Sequence, residues 1–393
     1  PAGGDPSAAT PAPTPGGTGV TTENSDPGPA PPYAFPATSS DQETQGALAP
    51  GAAPGSASPS PAPSRSAPPA GGPPLRIGVA GGDPAQEAGF SAYVDLVNRE
   101  GGLRGRLLEV VPVAPGTPAP GTIATVNLSP RPVSTPAGAP DWATGPLLET
   151  LTATEDLLAG GGRVFSFAGP PERQAHLAAD AVFPQLAPTA TAVVYRPVTA
   201  GPLRDAVPAA FVEVLEQRAV KVFVEDYDPA APPTHLRSAD AAFLSLDTAS
   251  AGSWLRQAKA AGYAPARGVA GISTLFDPAL LADLPEGSRV VSPYLVPGGA
   301  EGDAIRSGAG GTSAPVLHGW ATAKSLAVAL WRTGADTPGA VQTALEGLTG
   351  YDSGLAPPYE TRPGTRSRTP EGVVFVVRSG AFTADGGFRR DPH

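Results

Sequence analysis

Charged and aromatic residues directly follow several apolar runs in this sequence, and their side chains are suited to holding a small charged molecule. Arg131 can pair with a carboxylate through two parallel hydrogen bonds, while Asp226 or Asp247 can hold an ammonium group. Backbone N–H groups at a helix start also attract a carboxylate, and tyrosine rings can pack on an aliphatic body. The predicted site residues are Gly81, Gly82, Asp83, Ser129, Arg131, Tyr195, Asp226, Tyr227, Asp247, Ser273 and Tyr294.

Each of these residues, taken alone, can instead be structural. Arg131 lies between Pro130 and Pro132, which have no N–H to donate, and can be the arginine of a solvated loop.

Catalytic and metal-binding motifs are not found in the sequence. There is no G-x-S-x-G elbow and no H-E-x-x-H spacing among His176, His235, His318 and His393. Arg163-Val164 follows the triple glycine 160–162 where a phosphate loop needs Lys-Ser/Thr, so we interpret these glycines as a turn. The acidic cluster 225–228 lacks the EF-hand pattern. The sequence therefore predicts no enzyme, no metal site and no cofactor.

A strand–helix–strand unit over residues 75–113 precedes most of the predicted site. Residues 75–80 form an apolar run, and Asp83-Pro84 is a helix start with a side-chain cap. Gln86, three residues after the cap, predicts a capping box. Gly101 and Gly102 end the helix, and residues 107–113 read as the next strand. Such a unit implies a parallel sheet.

The same alternation continues to the end of the chain. Further strands are predicted over 122–128, 164–167, 192–195, 220–225, 241–246, 268–272 and 290–293, with a closing hairpin of 373–377 and 381–383. Further helices are predicted over 142–158, 171–183, 203–217, 253–262, 315–333 and 338–348. Ligands of open α/β sheets bind beyond the carboxyl ends of strands. The predicted site residues are therefore those that directly follow the predicted strands.

Several stretches resemble type 1 periplasmic binding proteins, in particular the leucine/isoleucine/valine-binding branch. They are IGV at 77–79, YVDLVN at 93–98, GGLRGR at 101–106, WLRQAKAAGY at 254–263 and HGWATAKSLAVALWRTG at 318–334. The resemblance covers residues 75–388 but is thin over 114–140, where the loop that grips a ligand's head group is shortened. The family's Ser/Thr pair near Ser129 and acidic residue near Ser273 are not evident.

This resemblance implies an α/β, two-lobed fold, each lobe a mostly parallel sheet flanked by helices. Lobe 1 is expected to comprise 75–168 and 293–350, and lobe 2 to comprise 169–292 and 351–393. It also implies a solute-binding protein of an ABC importer, which binds an amino-acid-like or amide-like solute by hinge closure and delivers it to an ABC permease. The alternative on the same fold is a degenerate sensor or protein-interaction module without transport.

Residues 1–74 differ in composition from the rest of the chain. They contain 19 of the 51 prolines and few large apolar side chains, too few to offset an ordering cost of roughly 1–2 kcal/mol per residue. We expect a disordered leader, either a linker or a tether behind a lipid anchor upstream of Pro1. The tether interpretation implies an extracytoplasmic location at the outer face of the membrane.

Overall composition excludes some partners. The net charge is −10 and Lys occurs at Lys221, Lys259 and Lys324 alone, which argues against nucleic acid. Cysteine is absent, and no apolar run is long enough to span a bilayer.

Overall fold

A computed structural model describes residues 28–34, 71–159, 162–182, 190–236, 239–263, 268–359 and 371–393. The predicted leader lies mostly outside these residues, as do Gly160 and Gly161 of the triple glycine. No helix in the described ranges is long and apolar enough to cross a membrane.

The first lobe contains a five-stranded, fully parallel sheet. Its strands, in chain order, are β1 Leu75–Ala80, β2 Leu108–Pro112, β3 Ala124–Asn127, β4 Leu147–Leu148 and β5 Val164–Phe165. They lie side by side in the order β2-β1-β3-β4-β5. The central strands are buried on both faces, as expected for a parallel sheet covered by helices.

The second lobe contains an eight-stranded mixed sheet. Its strands are β6 Thr191–Pro197, β7 Lys221–Tyr227, β8 Ala241–Leu244, β9 Val269–Gly271, β10 Arg289–Ser292, β11 Glu371–Arg378, β12 Ala381–Ala384 and β13 Arg389–Arg390. The order is β12-β11-β10-β9-β8-β6-β7, with β13 beside β11. β6 to β10 run parallel, and the predicted hairpin β11–β12 is confirmed as an antiparallel pair.

Eight α-helices are found in the described residues. They are α1 Pro84–Arg99, α2 Glu155–Ala159, α3 Pro171–Val182, α4 Ala206–Glu216, α5 Thr248–Ala260, α6 Gly299–Ala309, α7 Ala314–Thr333 and α8 Pro338–Glu346. Helices α1, α6 and α7 pack together beside the first sheet, and α3 packs against α4, β10 and β11. The predicted α/β fold of two mostly parallel sheets flanked by helices is confirmed.

The start and end of α1 follow the sequence prediction closely. Asp83 Oδ1 accepts the N–H groups of Ala85 and Gln86 at 2.9 and 3.2 Å. The Gln86 amide donates to Asp83 Oδ2 at 2.9 Å, so it supports the cap through the side chain. Gly101 and Gly102 have φ of 98° and 78°, the left-handed region that favours glycine.

The helix predicted over 142–158 is wrong for residues 142–154, and only its end corresponds to α2. Gly145 has a φ of 65°, Pro146 follows it, and Leu147–Leu148 pairs in parallel with β3 and β5. A buried apolar run can be strand or helix by periodicity alone, and here pairing with two neighbouring strands decides for strand. The glycine-rich helix α6 was not predicted, because its sequence, GAEGDAIRSGA, has three glycines and one large apolar residue, Ile305.

Part of the expected leader differs from the sequence prediction. Residues 28–34 are ordered against α1, α6 and α7, and Ala34 is buried in the same apolar cluster as Phe90 and Trp320.

Candidate functional site

A cavity of about 230 Å³ lies between the two lobes, at the carboxyl ends of strands from both sheets. The loops after β3 and β4 form one wall, and the loops after β6 and β8 form the other. It is lined by Pro130, Arg131, Thr152, Pro197, Thr199, Ala200, Gly201, Pro202, Leu203, Arg204 and Asp247. This is the position at which open α/β sheets bind ligands.

The buried carboxylate of Glu149 fixes the wall from the first lobe. Glu149 Oε1 accepts the N–H groups of Val133 and Ser134 at 3.0 and 2.7 Å. Its Oε2 accepts from the Asn127 amide at 2.7 Å and from the N–H of Thr150 at 3.1 Å. The ends of β3 and β4 are therefore tied together, and the loop that carries Arg131 is held in place. The sequence prediction missed Glu149 because it lay inside the wrongly predicted helix.

Arg131 and Asp247 are the two predicted site residues that line the cavity, and they come from opposite lobes. The Arg131 side chain is exposed and makes no hydrogen bond or ion pair with the described residues. Asp247 caps α5, accepting from the N–H and the hydroxyl of Ser250, each at 2.9 Å. An arginine and an aspartate from opposite lobes thus line a shared space.

Arg204 also lines the cavity and was not predicted, since the sequence placed it inside a helix. Its guanidinium donates to the carbonyl oxygens of Val198 and Pro197 at 2.7 and 3.2 Å. It also lies 3.3 Å from Asp226 Oδ2. These bonds hold the loop 197–204 in a closed turn.

Asp226 is engaged by arginines. Its Oδ1 accepts from Arg196 Nε at 2.7 Å. This hydrogen bond, with the positive charges of Arg196 and Arg204, holds the pKa of Asp226 below its usual value. The structure gives this carboxylate two guanidinium partners and does not place it at the cavity.

The aromatic residues predicted for the site lie in the core. The hydroxyl of Tyr195 donates to the carbonyl of Thr234 at 2.8 Å, and its ring packs 5.0 Å from Trp254. The Tyr294 hydroxyl lies 3.2 Å from the Phe167 carbonyl and 2.7 Å from His318 Nδ1. Tyr227 is 3% exposed, and Ser273, also buried, donates its N–H to Gln174.

The start of α1, where a ligand carboxylate was expected to bind, is occupied by the carboxylate of Glu87. Gly82 donates its N–H to Glu87 Oε1 at 2.6 Å, and a Cβ at Gly81 would lie 2.4 Å from the same oxygen. Asp83 serves as the cap of α1. The Ser129 hydroxyl lies within hydrogen-bond distance of Asn127 Oδ1 and the Arg131 carbonyl, at 2.7 and 2.6 Å.

No cluster of three or more metal-ligating side chains occurs within the ranges that the structure describes.

Residues 132–381 match the model of a family described as periplasmic binding protein. The match covers more than half of the chain, and it includes strands β6 to β11 of the second lobe and most of the cavity wall. The chain belongs to the periplasmic binding protein family. This is a family of solute-binding proteins, and its name places its members outside the cytoplasm. No curated protein matches the sequence.

Several solved structures share the fold. A branched chain amino acid ABC transporter from Thermus thermophilus with bound valine has a TM-score of 0.64 and 11% identity, over 82% of this chain and 97% of that one. An ABC transporter substrate-binding protein from Desulfitobacterium hafniense in complex with Leu has a TM-score of 0.57 and 16% identity, over 79% and 99%.

A fatty acid ABC transporter substrate-binding protein from Thermomonospora curvata has a TM-score of 0.62 and 13% identity, over 82% of this chain and 94% of that one. At such identities the likeness shows the fold, and the solutes named for these proteins differ widely. The predicted resemblance to periplasmic binding proteins is confirmed.

Proposed function

We propose that this protein is the solute-binding component of an ABC importer and that it binds a small amino-acid-like solute between its lobes. The observation that supports this most is the cavity, where Arg131 of one lobe faces the same space as Asp247 of the other. Charged groups of opposite sign on opposite walls suit a zwitterion.

The solute would be held by both ends. Its carboxylate pairs with the guanidinium of Arg131, because that group offers two parallel donors. Its ammonium group lies at Asp247, which keeps acceptor capacity beyond its two bonds to Ser250. Pro130, Pro202 and Leu203 supply apolar surface for the aliphatic body. A cavity of about 230 Å³ is smaller than the roughly 300–1,000 Å³ of most ligand sites, which favours a solute no larger than an amino acid.

Binding would favour closure of the lobes, since a solute that touches both walls is held best when they approach. In this proposal lobe 1 comprises residues 75–168 and 293–350, and lobe 2 comprises 169–292 and 351–393. The closed protein delivers the solute to an ABC permease, and a leader tethered upstream keeps it at the outer face of the membrane.

One observation favours a second function, that of a sensor or interaction module without transport. The Thr150 hydroxyl lies 2.6 Å from the Ser129 carbonyl and 3.1 Å from Gln86 Oε1. The Ser129 hydroxyl is likewise engaged within the loop. Two hydroxyl groups in the loops after β3 and β4 are thus used by the protein itself.

A panel of amino acids and their amides, tested by thermal shift and calorimetry on the full chain, distinguishes the two functions. We expect at least one zwitterionic solute to raise the thermal midpoint, because a ligand stabilises the state that binds it. Arg131→Gln and Asp247→Asn should each lower the binding affinity for that solute by about 10-fold or more, the loss typical of a charged hydrogen bond. Arg99→Gln, exposed at the end of α1, should change nothing. Absence of any shift across the panel favours the sensor or interaction module.

A further inference from the structure

Residues 28–34 occupy a groove formed by α1, α6 and α7. The Tyr93 hydroxyl of α1 donates to the carbonyl of Pro32 at 2.6 Å. Trp331 Nε1 of α7 donates to the carbonyl of Gly28 at 3.3 Å. The Tyr33 hydroxyl donates in the other direction, to the carbonyl of Ala300 in α6 at 3.3 Å. Three helices therefore each make a polar contact with one short segment.

The donors of the groove match what a proline-containing segment offers. Pro29, Pro31 and Pro32 have no N–H, so this stretch presents mainly carbonyl acceptors and ring surfaces. Aromatic grooves are the usual receptors for such segments, because little conformational freedom is lost on binding. Tyr93 and Trp331 each combine an aromatic ring with one hydrogen-bond donor.

The segment is seated as a tight turn. Ala34 donates its N–H to the carbonyl of Pro31 at 3.1 Å, which closes a turn with Pro32 and Tyr33 at its centre. Tyr33 has a φ of 52°, a conformation that costs a non-glycine residue of order 1 kcal/mol and persists when surrounding contacts enforce it. Ala34 is 3% exposed and belongs to the same core cluster as Phe90 and Trp320 of the first lobe.

The floor of the groove is buried and closely packed, and its hydrogen-bond donor, the Tyr93 hydroxyl, stays protonated. The Tyr93 ring is fully buried and meets Trp320 edge to face at 5.0 Å. Trp320 is fixed in turn by its bond to Glu301 Oε1 at 3.0 Å. Burial raises the pKa of Tyr93 well above its usual value, so its hydroxyl remains a donor at neutral pH.

We propose that the groove between α1, α6 and α7 is a binding site for a Pro-Pro-Tyr-Ala turn, and that residues 28–34 of the same chain occupy it. The 36 residues between Ala34 and Gly71 can span well over 100 Å at about 3.3 Å each, so the connection imposes no strain. Covalent linkage favours the chain's own segment over a second copy.

Chymotrypsin tests the seating on the full chain without altering the segment. In residues 1–74 the aromatic residues are Tyr33 and Phe35, and Phe35 precedes Pro36, so Tyr33–Ala34 is the aromatic cleavage site. We expect this bond to be cut at least 10-fold more slowly than in a synthetic peptide of residues 24–40. Tyr93→Phe and Trp331→Phe should each speed cleavage about fivefold, the factor for one lost hydrogen bond, and more when combined. Tyr263→Phe removes a buried hydroxyl from the second lobe and should leave the rate unchanged.

Equal cleavage in the protein and the peptide would overturn the proposal. So would a protected bond that is indifferent to both groove variants while their thermal midpoints stay near that of the parent protein. Light scattering decides which chain occupies the groove. A monomer supports occupation in cis, and a dimer that Tyr93→Phe dissociates overturns it.

Discussion

At the scale of single residues, one buried ion pair joins α6 to α7. Lys324 Nζ lies 2.7 Å from Glu301 Oε1 and 2.7 Å from the carbonyl of Ser353, and the Lys324 side chain is fully buried. Burial raises the pKa of Glu301, and the charge of Lys324 partly offsets that effect. A sequence with three lysines gives no sign that one of them is in the core.

Lys324→Met should lower the free energy of unfolding by about 3–5 kcal/mol at pH 8, because Glu301 then remains buried without a counter-charge. A carboxyl whose folded pKa is raised contributes most stability below its unfolded pKa and loses it as pH rises. The loss in the free energy of unfolding caused by Lys324→Met should therefore be smaller at pH 5 than at pH 8, as measured by urea unfolding. Lys259→Met breaks an exposed pair with Asp283 and should cost less than about 1 kcal/mol at either pH. Equal losses in the two variants would contradict the argument.

At the scale of elements, α1 and α7 cross with their backbones in contact. A Cβ at Gly89 would lie 2.0 Å from the carbonyl oxygen of Val316, and a Cβ at Gly319 would lie 2.0 Å from that of Gln86. Both glycines are inside helices, where glycine is otherwise unfavourable. The close crossing explains why they stand there.

Gly89→Ala and Gly319→Ala should each destabilise the fold by about 2 kcal/mol or more, since an added methyl group must push two backbones apart. Gly339 in α8 is the matched control, because a Cβ there meets no atom within 4 Å. Gly339→Ala should be neutral or stabilise by up to about 1 kcal/mol. Thermal and urea unfolding report the difference, and a neutral Gly89→Ala would show that the helices can separate freely.

At the scale of the whole molecule, polar contacts join the lobes where α2 of the first meets α3 of the second. Glu172 Oε1 accepts the N–H of Glu155 at 3.2 Å. Arg173 Nε lies 2.6 Å from Glu155 Oε1, and its Nη1 lies 3.0 Å from Asp391 Oδ2. His176 Nδ1 shares that oxygen of Asp391 at 2.9 Å. The junction between α2 and α3 is thus built from ionisable groups.

The pH dependence of stability should reflect Glu172. Burial raises its pKa to about 7, so its contribution is complete below about pH 4.5 and is lost as pH rises through 7. A pKa shift of that size corresponds to at most about 3 kcal/mol in the free energy of unfolding. Glu172→Gln keeps the acceptor for Glu155 without the charge, and should be more stable than the parent protein at pH 8 and nearly equal at pH 5. Glu213→Gln, exposed on α4, should show no such pH dependence in urea unfolding. A constant difference between Glu172→Gln and the parent across this range would contradict the assignment.

Local patterns in the sequence were sufficient to predict most elements. The cap at Asp83, the glycines that end α1 and the apolar runs of β1, β6 and β8 are interactions between near neighbours in the chain. Their physical causes are steric or involve residues a few positions apart, so they can be read without knowing the fold. The strand β4 was missed because its two leucines are defined by their partners in β3 and β5.

By itself, the sequence determined most of the strands and helices and the family resemblance that the comparisons confirmed. Only the tertiary structure decided which strand ends face each other. It brought Arg131 and Asp247 to one cavity, gave Asp226 to two arginines, and placed the tyrosines in the core. It also seated residues 28–34 on the first lobe, against a composition that predicts disorder. The reason is that these outcomes depend on burial and on contacts between residues up to 303 positions apart, which no local pattern records.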